Sequence, residues 1–136
     1  MLYVEESEIV YVTEKIFNRE TGLIAYQRTL LNGVLESAPD DAPSVVHYDK
    51  LGRPDRMEWH RLGQWHRDSG PSVIYINPEN GVHVLESFHH NGVARARPFG
   101  PNRILRDHDT GEIESCTHES NFAFCGRSTR LKPPSP

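Results

Sequence analysis

The chain has 136 residues, 36% of them hydrophobic, with 15 basic and 19 acidic side chains for a net charge of −4. That length suits one ordinary domain with a modest core. The mildly acidic balance argues against a general nucleic-acid binder, and no run of eighteen apolar residues reads as a membrane-spanning helix.

The opening residues, "MLYVEESEIVYV", carry acids where an export signal would carry basic groups. With only Cys116 and Cys125 in the sequence, a reduced, cytoplasmic setting is the expectation. "SEIVYV" and "VTEKIFNRETG" then read as extended segments that end on Gly22. From there a period sets in. Gly22, Gly52, Gly81 and Gly111 follow at intervals of 30, 29 and 30 residues. Ten positions after each stand Asn32, Leu62, Asn91 and Asn121, followed by Gly33, Gly63, Gly92 and, out of pattern, Phe122. Later come Ala42-Pro43, Gly70-Pro71 and Gly100-Pro101. Columns held in phase over about ninety residues mark a repeat.

Each column has a physical meaning. Asn-Gly tolerates positive φ at both positions, as the type I′ turn of a tight β-hairpin requires. Leu62-Gly63 and Ser120-Asn121 occupy the same slot. Extended segments such as "RMEWHR" and "VLESFHH" precede the turn, and shorter ones such as "QWHR" and "VARA" follow it. After the proline comes a third strand, "PSVVHY", "PSVIYI" or "PNRILR". The unit closes on the turns "DKLG", "PENG" and "DHDTG". The predicted fold is all-β: an antiparallel meander of about three 29–30-residue hairpin repeats, an open curved sheet or elongated roll. A single domain, 1–128, holds partial unit 1–22, units 23–52, 53–81 and 82–111, and partial unit 112–126. Residues 129–136 have the composition of a disordered Pro-rich tail.

Counting outward from two-residue turns predicts cross-strand partners. Trp59 opposes His66, His60 opposes Trp65, Phe88 opposes Arg95, His89 opposes Ala94, and His118 opposes Cys125. Glu58 with Arg67, and Glu86 with Arg97, are expected ion pairs.

Three chemistries compete at these positions. The "WHRLGQWHRD" cluster offers His60 or His66 as a base and Arg67 as an anion clamp, and Ser69 near His66 and Asp68 imitates a triad. No strand-turn-helix elbow surrounds that serine, and the other units lack the same residues, so architecture is the preferred reading. Cys116, His118 and Cys125 fall on one face of the last hairpin, and zinc there would need His108 or His90 as a fourth ligand. A reduced buried Cys pair is the preferred expectation, with no metal and no cofactor. Arg95, Arg97, Arg103 and Arg106 beside Phe88 and Phe99 could contact nucleic acid or a nucleotide, but Glu86, Asp107, Asp109, Glu112 and Glu114 offset them.

"GQWHRDSGPS" at Gly63–Ser72 resembles the MORN-like β-hairpin repeats of small bacterial and phage proteins, whose units read roughly "nGxxHRxxGPA". The third unit, "NGVARARPFGPN", has Ala94-Arg95 in place of His-Arg, and "ESAPDDAP" departs further in the first. The resemblance spans most of residues 22–126 and implies a hairpin array with a binding role and no catalytic residues. The expected function is therefore a non-enzymatic protein-binding module that can form a homodimer. Its candidate contact residues are Trp59, Trp65, His66, Arg67, Phe88, His89, Arg95 and Arg97. The resemblance also implies a phage- or mobile-element-encoded inhibitor of a host defence complex such as CRISPR. The rivals are nucleic-acid or nucleotide binding through the third unit, and a small metal-dependent hydrolase using His and Cys.

Overall fold

The structure, a computed structural model, describes residues 10–94 and 101–117. Every regular element among them is a strand: β1 (Tyr11–Phe17), β2 (Ile24–Leu31), β3 (Val34–Leu35), β4 (Val45–Tyr48), β5 (Pro54–Glu58), β6 (His60–Arg61), β7 (Gln64–Trp65), β8 (Val73–Ile76), β9 (His83–Ser87), β10 (His89–His90), β11 (Val93–Ala94), β12 (Arg103–Arg106) and β13 (Ile113–Thr117). The main sheet runs β1-β2-β4-β5-β8-β9-β12-β13, each neighbour antiparallel to the last, with β3 also on β2. It does not close. The all-β meander expected from the period is what the chain forms.

Two kinds of turn build it, and the glycine columns mark both. Asn32-Gly33, Leu62-Gly63 and Asn91-Gly92 each have positive φ at both positions, so all three are type I′ in sense, leucine included. They close the short hairpins β2–β3, β6–β7 and β10–β11. The second kind ends on Gly22, Gly52, Gly81 and Gly111, whose N–H donates to the carbonyl of Asn18, Asp49, Asn77 and Asp107. In each turn that Asx side chain also accepts backbone N–H bonds, for example Asp107 Oδ1 from Asp109 and Thr110. A register shift recurs beside each such turn, at Ile16/Phe17, His47/Tyr48, Tyr75/Ile76 and Leu105/Arg106.

The core lies along the middle strands. Val45, Val46, Val73 and Ile74 are all buried, the β-branched pairs directly after Pro-Ser in β4 and β8. Fully burying such a side chain contributes about 1.5–3 kcal/mol. Phe88, Ile104 and Cys116 extend the buried band toward β13. No helix among the described residues is long and apolar enough to cross a membrane.

Candidate functional site

The His- and Arg-bearing segments lie beyond the ends of β5 and β9, where the chain leaves the main sheet for β6–β7 and β10–β11. Three of the expected partners are found among the described residues. His60 opposes Trp65, His89 opposes Ala94, and His66 N–H donates to Trp59 O at 3.0 Å. Arg95, Arg97, His118, Cys125 and the Pro-rich tail lie outside the described residues, as does the Ser120-Asn121 turn.

Two side-chain devices recur in repeat phase. In the first, the serine after Pro43 and after Pro71 joins two strands. Ser44 Oγ donates to Glu58 O at 3.1 Å and sits 2.6 Å from His60 Nδ1; Ser72 Oγ donates to Ser87 O at 3.1 Å and sits 2.6 Å from His89 Nδ1. A hydroxyl has one hydrogen, so with that hydrogen on the carbonyl the imidazole donates from Nδ1. Burial pushes both His60 and His89 below the ordinary imidazole range, with the Glu58 charge opposing it at His60.

In the second, a side chain just past each short hairpin caps the next turn. Glu36 Oε1 accepts from Leu62 N–H at 2.7 Å, and His66 Nδ1 accepts from Asn91 N–H at 3.0 Å. Backbone bonds run in the same phase: Gly63 N–H to Leu35 O and Gly92 N–H to Trp65 O, then Ser37 N–H to His60 O and Arg67 N–H to His89 O. Each short hairpin is thus fastened to the next by equivalent groups.

Arg67 does not meet Glu58. Its guanidinium stacks over Trp59, 3.8 Å from the ring centroid, and grips Asp41 through Nε and Nη2 at 3.2 and 2.9 Å, with Nη1 on Pro71 O. The strand breaks at Trp59 and the chain turns away after Trp65, carrying Arg67 toward the loop before β4. Asp41, itself at positive φ, has its carboxyl pKa lowered by Arg67 and then by Ser69, whose hydroxyl donates to Oδ2 at 2.6 Å. Trp59 Nε1–H donates to Asp41 O. Ser69 therefore serves a carboxylate, and no triad forms. Glu58 is held by Arg56 at 2.9 Å and by Trp65 Nε1–H at 2.7 Å, and Glu86 by Arg106 and His83.

Of the eight candidate contact residues, Trp59, His66 and Phe88 are 4%, 6% and 7% exposed and belong to the interior. Trp65, at 37%, reaches solvent, with its ring tilted against His89 at 4.9 Å. Arg67 and His89 are committed to the contacts above.

His66 Nε2, Asp68 and His90 Nδ1 form a group of metal-ligand type beside a cleft of about 320 Å³ between the loop before β4 and the β6–β7 hairpin. The tautomer argues against a metal. Asn91 N–H occupies the lone pair of His66 Nδ1, so in the neutral ring the hydrogen is on Nε2, where a metal needs a lone pair. That Nε2 lies 3.2 Å from Asp68 Oδ1, but the N–H is not aligned with the oxygen. Asp107, His108 and Asp109 are also grouped, with Asp107 Oδ1 spent on turn N–H bonds. Cys116 is buried and disulfide-bonded, which corrects the expectation of a reduced thiol there; beside Phe88 and Ile104 its sulfur sits in the apolar band.

One further arrangement crosses the main sheet. Tyr26, His47, Arg56 and Tyr75 stand in a single row on β2, β4, β5 and β8, each opposite the next. Tyr26 and His47 have ring centroids 4.9 Å apart, and the Arg56 guanidinium lies 4.8 Å over Tyr75. Tyr75 is 39% exposed. The row belongs to the same repeat, in columns Tyr26/Arg56/Leu85 and His47/Tyr75/Leu105 offset by 28 to 30 residues. That spacing was the signal in the sequence that could have found it. No family model, curated protein or solved structure matches the chain.

Proposed function

We propose that the chain is a non-enzymatic protein-binding module whose contact surface is the face of the main sheet carrying Tyr26, His47, Arg56 and Tyr75. The observation that carries this reading is the row itself. Stacked, part-exposed Tyr and Arg side chains supply large contact area at low ordering cost, and these residue types dominate interface energetics. The rigid strands beneath them hold the row in register. The groups that imitate catalysts support the same reading, since His60, His66, Arg67, Ser69 and His89 each serve a neighbouring strand or turn.

The resemblance to MORN-like hairpin proteins extends the proposal to an inhibitor of a host nucleic-acid-processing or defence complex, such as a CRISPR effector. The test is affinity capture from host cells with the intact chain and with Tyr75→Ala/His47→Ala. Capture should fall by tenfold or more, the loss expected of a central contact worth about 2 kcal/mol, while the unfolding midpoint stays close to that of the parent. Undiminished capture by the double variant would contradict this assignment of the face.

A further inference from the structure

Among the described residues, the outer edge of β1 pairs with no other strand. Its apolar side chains reach solvent on both faces: Tyr11 39%, Val12 46%, Ile16 49% and Phe17 56% exposed. A long apolar edge is a template for another strand. Val10 O accepts from Asn32 N–H on the β2 side. By alternation the even residues of β1 turn their backbone groups to β2, and Tyr11, Thr13, Lys15 and Phe17 turn theirs outward.

We propose that β1 pairs antiparallel with β1 of a second copy of this chain, about a two-fold axis through Glu14. The inference stands apart from the face proposed above and rests on register. A two-fold axis normal to the sheet keeps each residue on its own face, so opposed positions must sum to an even number. Centring on Lys15 sets lysine against lysine with no neighbouring acid across the strand. Centring on Thr13 sets Val12 against Glu14′. Centring on Glu14 sets Val12 against Ile16′ and Tyr11 against Phe17′, each twice, and pairs the outward groups of Thr13 with those of Lys15′. Its one conflict is Glu14 against Glu14′. There Arg28, directly opposite Glu14 on β2 and 2.6 Å from its Oε1, neutralises each carboxylate. Lys15, the usual guard of an exposed edge, meets only Thr13′ in this register.

Sedimentation velocity across a wide concentration range tests it. The parent chain should show a reversible monomer–dimer equilibrium of micromolar strength, since such edge contacts fall among small interfaces. Val12→Lys/Ile16→Lys should be monomeric with unchanged unfolding behaviour, and Arg28→Ala should weaken the dimer several-fold by leaving the two Glu14 carboxylates facing each other without their counter-charge. Under mild oxidation Glu14→Cys should link two chains. Lys15→Cys should not, because its Cα and that of its mate lie about 8 Å apart in this register, beyond the roughly 7 Å a disulfide spans. A parent chain monomeric at every concentration, a dimer that survives both lysines, or cross-linking through Lys15→Cys in preference to Glu14→Cys would overturn the proposal.

Discussion

The serine that follows Pro43 and Pro71 does more than start a strand. Ser72 is fully buried, and its hydroxyl joins the Ser87 carbonyl to the His89 ring. Ser72→Ala leaves His89 Nδ1 without that partner and should lower stability by about 1–2 kcal/mol in denaturant unfolding. Ser69→Ala, at an exposed hydroxyl, should cost under about 0.5 kcal/mol. The same imidazoles set the response to acid. Burial lowers the His60 and His89 pKa values in the fold, so below about pH 6.5 the unfolded chain binds protons the folded chain refuses. Stability then rises with pH through that window and falls on acidification. Asp41, depressed by Arg67 and Ser69, works from the other side: its contribution is present above about pH 4 and lost below it. Unfolding free energy measured from pH 7 to 5 should decline, and His60→Asn/His89→Asn should flatten that limb. An equally steep decline in the double variant would contradict the assignment. The recurrence of His and of Pro-Ser was legible in the sequence. Their contact was not, because it joins residues 16 and 17 positions apart on different strands.

Turns carry most of the information that the period exposes. Type I′ geometry was readable at Asn32-Gly33 and Asn91-Gly92, and the slot alone extended it to Leu62-Gly63, where the residue type argues against it. Leu62 holds φ at 52° with its side chain 75% exposed, so nothing packs to compensate the left-handed backbone. Leu62→Asn should therefore stabilise the chain by about 1 kcal/mol. Gly63→Ala should destabilise it, since φ is 80° and the new Cβ would come within 3.3 Å of Val34 Cγ1. Thermal unfolding of both variants checks the pair of signs. The register counted outward from the Leu62-Gly63 turn held for three steps and then failed at Arg67. Counting assumes a continuous ladder, and the ladder stops where Trp59 sinks beneath the guanidinium. Nothing local in the sequence marks Asp41, 26 residues away, as the acid that Arg67 finds. The row from Tyr26 to Tyr75 was missed for a related reason. It follows the strand columns of the repeat, and the hairpin columns, richer in His and Arg, drew the reading instead.

The assembled chain behaves as a one-dimensional array in which each unit is tied to its neighbours by the same few bonds. An enzyme-like cluster of histidines and arginines dissolves in this view. Glu36 in one unit and His66 in the next perform the same task, accepting the N–H of a following turn, although one is an acid and the other an imidazole. This equivalence is the claim on which the binding-module reading depends, because it assigns the reactive-looking groups to architecture. Amide hydrogen exchange measures it directly. Leu62 and Asn91 sit at exposed turn corners, where unbonded amides exchange freely. Both should be protected in the parent chain. His66→Ala should release Asn91 while leaving Leu62 protected, and Glu36→Ala should do the reverse. Free exchange at Asn91 in the parent, or release of both amides by either substitution, would contradict the account.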